Sequence, residues 1–127
     1  MTDEILGIFK TISEQVVPQA ETLRDLDAKI GDGDLGITIT RGMEAVMAGI
    51  DDLEGTPLSN QLGRSGMAFN RAAASTFGVL FATAMMRGGA AVKDREDVGP
   101  SDVVAIGRAA MQGLMDRGKA KIGDKTL

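Results

Sequence analysis

The chain has 127 residues, long enough for one domain with a real core, and its 43% hydrophobic and 25% charged residues are the mix of an ordinary globular protein. A net charge of -4 argues against the phosphate backbone of a nucleic acid as partner, and no apolar run approaches the length needed to span a membrane. Without cysteine there are no disulfides or thiolate metal sites, and without histidine the commonest general base and any phosphohistidine intermediate are gone. Met1-Thr2-Asp3-Glu4 begins acidic, unlike a secretory signal, so a cytoplasmic location is expected.

The only aromatics are four Phe, while Ala, Met and Leu are common, a composition that favours packed helices over sheets. Ile5, Phe9, Ile12 and Val16 lie at helical spacing and predict a helix over 3–17, with Thr2 as its N-cap. Pro18 then serves as the first position of a second helix over 18–29, whose apolar side is Leu23, Leu26 and Ile30. Asp27 falls in its last turn, where a carboxylate opposes the helix dipole, a local cost that hints at another role. Ile39, Met43, Val46, Met47 and Ile50 predict a third helix over about 36–50, followed by a loop at 51–57.

Residues 58–87 read as two helices or one interrupted helix, with Gly88-Gly89 as a stop and 93–99 as a polar loop. Pro100-Ser101-Asp102 opens a helix ending at Gly118, with Val103, Ile106, Ala110 and Leu114 as its apolar face. The eight methionines are expected to fill gaps in the core. Nothing alternates with period two for long enough to make a strand, so the fold class is all-α.

The most informative stretch is Asp27-Ala28-Lys29-Ile30-Gly31-Asp32-Gly33-Asp34. Three carboxylates this close repel one another unless a cation sits between them, and hard carboxylate oxygens suit magnesium, calcium or manganese. The segment that follows reads as a helix start, whose N–H groups attract anions. A metal beside a helix N-terminus is a place to hold phosphates; the competing reading is a solvated helix–helix loop with capping aspartates.

Three general patterns fail here. Gly31-x-Gly33-x-x-Gly36 has no strand before it, and aspartates fill two of its variable positions. An EF-hand opening at Asp32 would have Met43 where its bidentate glutamate belongs. Gly113 to Lys119 has P-loop spacing, but Ala120 replaces the metal-binding hydroxyl. Ser75 and Thr76 sit in an alanine run, and on chemistry alone a helix interior with hydroxyls bonded back to carbonyls is favoured over a second helix N-terminus that binds phosphate oxygens.

Taken together, Leu26-Asp27-x-x-Ile30-Gly31-Asp32-Gly33-Asp34-x-Gly36, Arg41-Gly42, Ser75-Thr76-Phe77-Gly78, Arg87-Gly88-Gly89, Arg117-Gly118-Lys119-Ala120 and Gly123-Asp124-Lys125-Thr126 resemble the L subunit of dihydroxyacetone kinase. The order and approximate intervals agree along the whole chain. The resemblance implies an antiparallel barrel of about eight helices, of which the first five or six are present here. It implies that Asp27, Asp32 and Asp34 bind magnesium, which holds the phosphates of ADP or ATP. Leu35, Gly36, Ile37, Thr38, Ser75 and Thr76 would contact the phosphates, and Gly118 and Leu127 would lie near the adenine.

The resemblance further implies a phosphotransferase subunit that is active only with its partners. A K subunit holds dihydroxyacetone or a similar small ketose, and in one branch a phosphotransferase-system component recharges the bound nucleotide. A nucleotide-responsive regulatory protein, or an inactive remnant of the kinase subunit, is the alternative. Leu35 stands where histidine is common and Thr38 where asparagine is common, which is expected to alter phosphate contacts. Ala72-Ala73-Ala74 replaces a glycine-rich lead-in. The family continues for several helices past the Gly-Asp-Lys-Thr motif, so a single domain over 1–127 is expected to be incomplete at its C-terminus, or to be closed by a homo-oligomer.

Overall fold

The structure, a computed structural model, describes residues 3–124. It contains α1 (Glu4–Val16), α2 (Ala20–Asp27), α3 (Leu35–Ala48), α4 (Leu58–Ala72), α5 (Thr76–Ala90) and α6 (Pro100–Gly118). A 3-10 turn at Val17–Gln19 joins α1 to α2, and a second at Ile50–Leu53 follows α3. No strand occurs among the described residues, and the fold is all-α as predicted. No described helix is long and apolar enough to cross a membrane.

Helices α3, α4, α5 and α6 pack each on the next in antiparallel order. Glycines mark the close approaches. A Cβ on Gly42 of α3 would run into the Phe69 ring of α4, and one on Gly66 of α4 would meet Met85 and Ala82 of α5. Gly88 faces Ile106 and Ala110 of α6, while Gly113 of α6 faces Arg87 and Thr83 of α5. The core runs from Leu6 and Phe9 of α1 through Met43 and Val46 of α3 to Leu58, Leu62 and Phe69 of α4, closed by Ile50, Leu53 and Val92. Phe69 is its largest fully buried side chain and touches the rings of Phe81 and Phe77, with centroids 4.5 Å and 5.9 Å away.

Several predicted boundaries shift. Pro18 falls in the 3-10 turn, and α2 proper begins at Ala20. The helix starting at Glu4 has Asp3 in the N-cap position, while Thr2 lies outside the described residues. Gly88-Gly89 does not stop α5, which runs on to Ala90, because both glycines are buried where neighbouring helices come too close for a side chain.

The predicted apolar faces are also corrected. On α1 the buried pair is Leu6 and Phe9, and Ile12 is exposed; Leu26 and Ile30 are exposed because α2 is a short helix packed on α3 from one side. On α6, Asp102, Ile106, Ala110 and Gly113 face inward, leaving Val103 and Leu114 exposed, since α6 packs chiefly on α5. Met43 is buried, but Met67, Met86 and Met111 are exposed and fill no core gap.

At one end of the bundle, Asp3 accepts hydrogen bonds from the Gly55 N–H (2.9 Å) and from Gln61 Nε2 (3.1 Å). Gln61, fully buried, also donates to the Leu53 and Thr56 carbonyls, tying the start of α1 to the turn before α4. The antiparallel order then places the starts of α3 and α5 and the end of α6 together at the other end.

Candidate metal and phosphate site

At that other end the α2–α3 turn folds back on itself. The Gly31 N–H donates to the Asp27 carbonyl, and Gly33 adopts φ 75°, a left-handed conformation that suits glycine. One carboxylate oxygen from each of Asp27, Asp32 and Asp34 thereby comes within 4.8 Å of the other two. Asp27 is half-buried and the other two are exposed. Among the described residues, no Lys or Arg lies within ion-pairing distance of any of the three.

The electrostatics of the pair Asp32–Asp34 follow from this crowding. A side-chain hydrogen bond between them, aided by the Asp34 N–H, holds the Asp32 carboxyl below its ordinary range. The same side-chain bond, then partial desolvation and the charges of Asp32 and Asp27, push Asp34 up. In effect the two carboxyls compete for one proton. Oxygen-only donors with no basic neighbour fit a hard divalent cation, so the chemistry of the donor set agrees with the predicted metal ligands.

Asp27 also makes a capping bond, the kind that the competing reading assigned to these aspartates. Its Oδ2 accepts the Leu35 N–H at 3.2 Å, so it caps α3 from eight residues upstream. Asp34 holds the N-cap position of α3 but makes no side-chain cap bond there. The Leu35–Thr38 segment is the first turn of α3: Leu35 is half-buried, Gly36 packs against the Ala20 backbone, Ile37 is exposed and Thr38 is buried. The Gly36 and Ile37 N–H groups have no acceptor among the described residues, as expected for the start of a helix.

Ser75 is not in a helix interior, which corrects the reading from its alanine-rich surroundings. It is the N-cap of α5, in extended conformation, and its Oγ accepts the Gly78 N–H at 3.0 Å. Gly78 packs so closely on the Ala73 carbonyl that the α4–α5 corner leaves no room for a Cβ, and Thr76 begins the helix exposed. Gly118 closes α6 at the same end, where an added Cβ would lie 3.6 Å from Leu80 in the first turns of α5. Leu127, the remaining predicted contact, lies outside the described residues. Two helix N-termini and an acidic turn thus share one end of the bundle, ringed by the exposed apolar side chains of Leu26, Ile30, Ile37 and Phe77.

Comparison with known proteins agrees. The DAK2 domain matches residues 29–127. The chain is 31% identical over 125 residues to the ADP-binding subunit DhaL of PEP-dependent dihydroxyacetone kinase 1 from Listeria innocua, covering 98% of this chain and 63% of that protein. It is 29% identical over 109 residues to the corresponding Escherichia coli subunit, covering 86% of this chain and 52% of that one. It is also 33% identical over 124 residues to a D-erythrulose kinase of Mycolicibacterium smegmatis, covering 94% of this chain and 21% of the longer protein. The chain therefore spans between half and two thirds of the length of the two DhaL subunits. With Asp32, Asp34, the α5 cap and the Gly118 corner inside the matched region and Asp27 two residues before it, the chain belongs to the DAK2-domain family.

Proposed function

We propose that this chain binds magnesium and ADP or ATP as the nucleotide subunit of a dihydroxyacetone-type kinase. The phosphoryl group of the bound nucleotide passes to dihydroxyacetone, or a similar small ketose, held on a partner K subunit. The observation that carries this reading is the convergence of Asp27, Asp32 and Asp34 at the end of the bundle where α3 and α5 begin. The relatives, named as ADP-binding subunits and a D-erythrulose kinase, support the same chemistry.

In this mechanism Asp27, Asp32 and Asp34 are metal ligands, and no side chain of this chain is a general base or a covalent carrier. Bound magnesium supplies neutralisation of phosphate charge. The chain's own share is positional. The first-turn N–H groups of Leu35–Thr38 and of Ser75–Thr76 present donors to phosphate oxygens, and Gly118 leaves room for the base. The exposed apolar rim of Leu26, Ile30, Ile37 and Phe77 is suited to a protein surface that excludes water during transfer. The nucleotide is recharged by a phosphotransferase-system component, as the names of the PEP- and PTS-dependent relatives suggest, or is replaced by free ATP.

Native mass spectrometry of the purified chain, with and without EDTA, tests the reading. A mass increment for magnesium plus ADP that EDTA removes is the expected result. A bare chain that also ignores added magnesium and ADP overturns nucleotide binding by this chain.

A further inference from the structure

The acidic turn and the start of α3 carry Gly31, Gly33 and Gly36, which are glycine for different reasons. Gly33 has φ 75°, and a Cβ on Gly36 would run into the Ala20 backbone, so these two serve the path of the chain and the seating of α3. Gly31 is not among the glycines with positive φ, so its backbone is one that any residue adopts. The space where its side chain would stand is taken by Asp27. A Cβ there would run into Asp27 Oδ1, with Asp27 Cγ 3.2 Å away and the Asp27 carbonyl oxygen 2.9 Å away. From another side the Leu35 N–H donates to Asp27 Oδ2 at 3.2 Å. One rigid, planar carboxylate thus lies between Gly31 and the first turn of α3, and also gives an oxygen to the cluster with Asp32 and Asp34.

We infer that Gly31 is a positioning residue of the metal site: the space left by its absent side chain lets the Asp27 carboxylate lie against α3 and reach the cluster. This rests on the reading of Asp27, Asp32 and Asp34 as magnesium ligands. An added methyl presses on Oδ1, and because the two oxygens of a carboxylate move together, it draws Oδ2 off the Leu35 N–H as well. Asp27 is only half-buried, so its side chain has room to turn toward solvent, and the turn takes up the methyl that way rather than by unfolding. The contact with the Asp27 carbonyl asks for a small local shift of the backbone. The site then loses one of its three ligands and α3 loses its cap in a single step. Gly31 itself offers no side chain to metal or phosphate; its part is to hold a ligand in place, as outer-sphere residues of metal sites do.

The test joins calorimetry with magnesium-ADP to NMR of the metal-free chain in EDTA, on Gly31→Ala, Asp27→Ala and the double variant. Gly31→Ala should weaken magnesium-ADP binding about tenfold or more. In EDTA it should move the Leu35 amide resonance to its position in Asp27→Ala, a readout that needs no metal. The double variant should bind no worse than Asp27→Ala, because no carboxylate is left to displace. Wild-type affinity in Gly31→Ala, a Leu35 resonance that stays in place, or losses that multiply in the double variant overturns the inference. So does a fall in thermal midpoint that is as large in the Asp27→Ala background as in wild type, since the methyl then displaces backbone and not the carboxylate. Asp32→Asn tells the two readings apart. If it binds magnesium-ADP as wild type does, the metal assignment falls and takes the metal role of Gly31 with it, while the Leu35 resonance still decides whether Gly31 places Asp27.

Discussion

The two ends of the bundle use the same residue type in opposite ways. At the end where α4 and α6 begin, Asp3 accepts from Gly55 and Gln61, and Asp102 accepts from the Gly99 N–H at 2.9 Å and pairs with Arg95 at 3.1 Å. Each of those carboxylates has donors of its own. At the end where α3 and α5 begin, Asp32 and Asp34 face each other and Asp27, with no basic side chain in reach among the described residues. Aspartates that cap and tie hold a fold together, whereas aspartates that face one another repel. Asp27 belongs to both groups, since it caps α3 and points into the cluster.

The comparison breaks most sharply at Asp32. Replacing it by Asn should lower magnesium-ADP affinity well over tenfold by calorimetry, since even outer-sphere partners of metal ligands are worth about 10–100-fold. The helical circular dichroism should be unchanged. If affinity survives, the metal assignment fails and both ends are structural.

Asp102→Ala is the counterpart at the other end. It removes the Gly99 hydrogen bond and strands Arg95, and should cost about 1–2 kcal/mol in urea unfolding while leaving magnesium-ADP affinity alone.

Ser75 distinguishes capping from ligand binding at the site end itself. Ser75→Ala should cost about 1 kcal/mol of stability through the lost cap. Ser75→Asp should keep the cap and the stability, yet weaken ADP binding by setting a negative charge beside the phosphates. Equal ADP affinity in wild type and Ser75→Asp would make this residue purely structural.

The smallest effects concern the free protein and pH. Asp34→Asn relieves repulsion without removing a cap bond, so a small rise in the metal-free thermal midpoint is expected; a clear fall would mean that Asp34 has a structural role. With its carboxyl held above the ordinary 3.8, Asp34 binds protons in competition with the metal, so magnesium affinity should decline on acidification before that value is reached. Stability of the free protein responds less. The raised Asp34 favours folding at low pH and loses that contribution as pH rises through its folded value. The lowered Asp32 contributes above its unfolded value and loses it as pH falls, so the two oppose each other.

The helices were readable because periodic apolar residues, Pro100 and the Gly118 end report directly on local conformation. The acidic triad was readable because its members lie within a single turn, where chain connectivity alone brings them close. The Ser75 cap was harder to see, because the alanines before it have high helix propensity and the break after Ala72 is enforced by packing of Gly78 on Ala73. Gly88 and Gly89 misled for a related reason: glycine stops isolated helices, but here it lets α5 approach its neighbours on both sides.

Sequence by itself determined the all-α class, the order of the helices and the acidic turn, since each rests on neighbours within a few residues. Only the tertiary structure decided which stripe of each helix is buried and which turns share an end of the bundle. It also decided that Asp27 reaches the Leu35 N–H. Those outcomes depend on the hand and closeness of antiparallel packing, which side chains far apart in the chain establish jointly and no local pattern records.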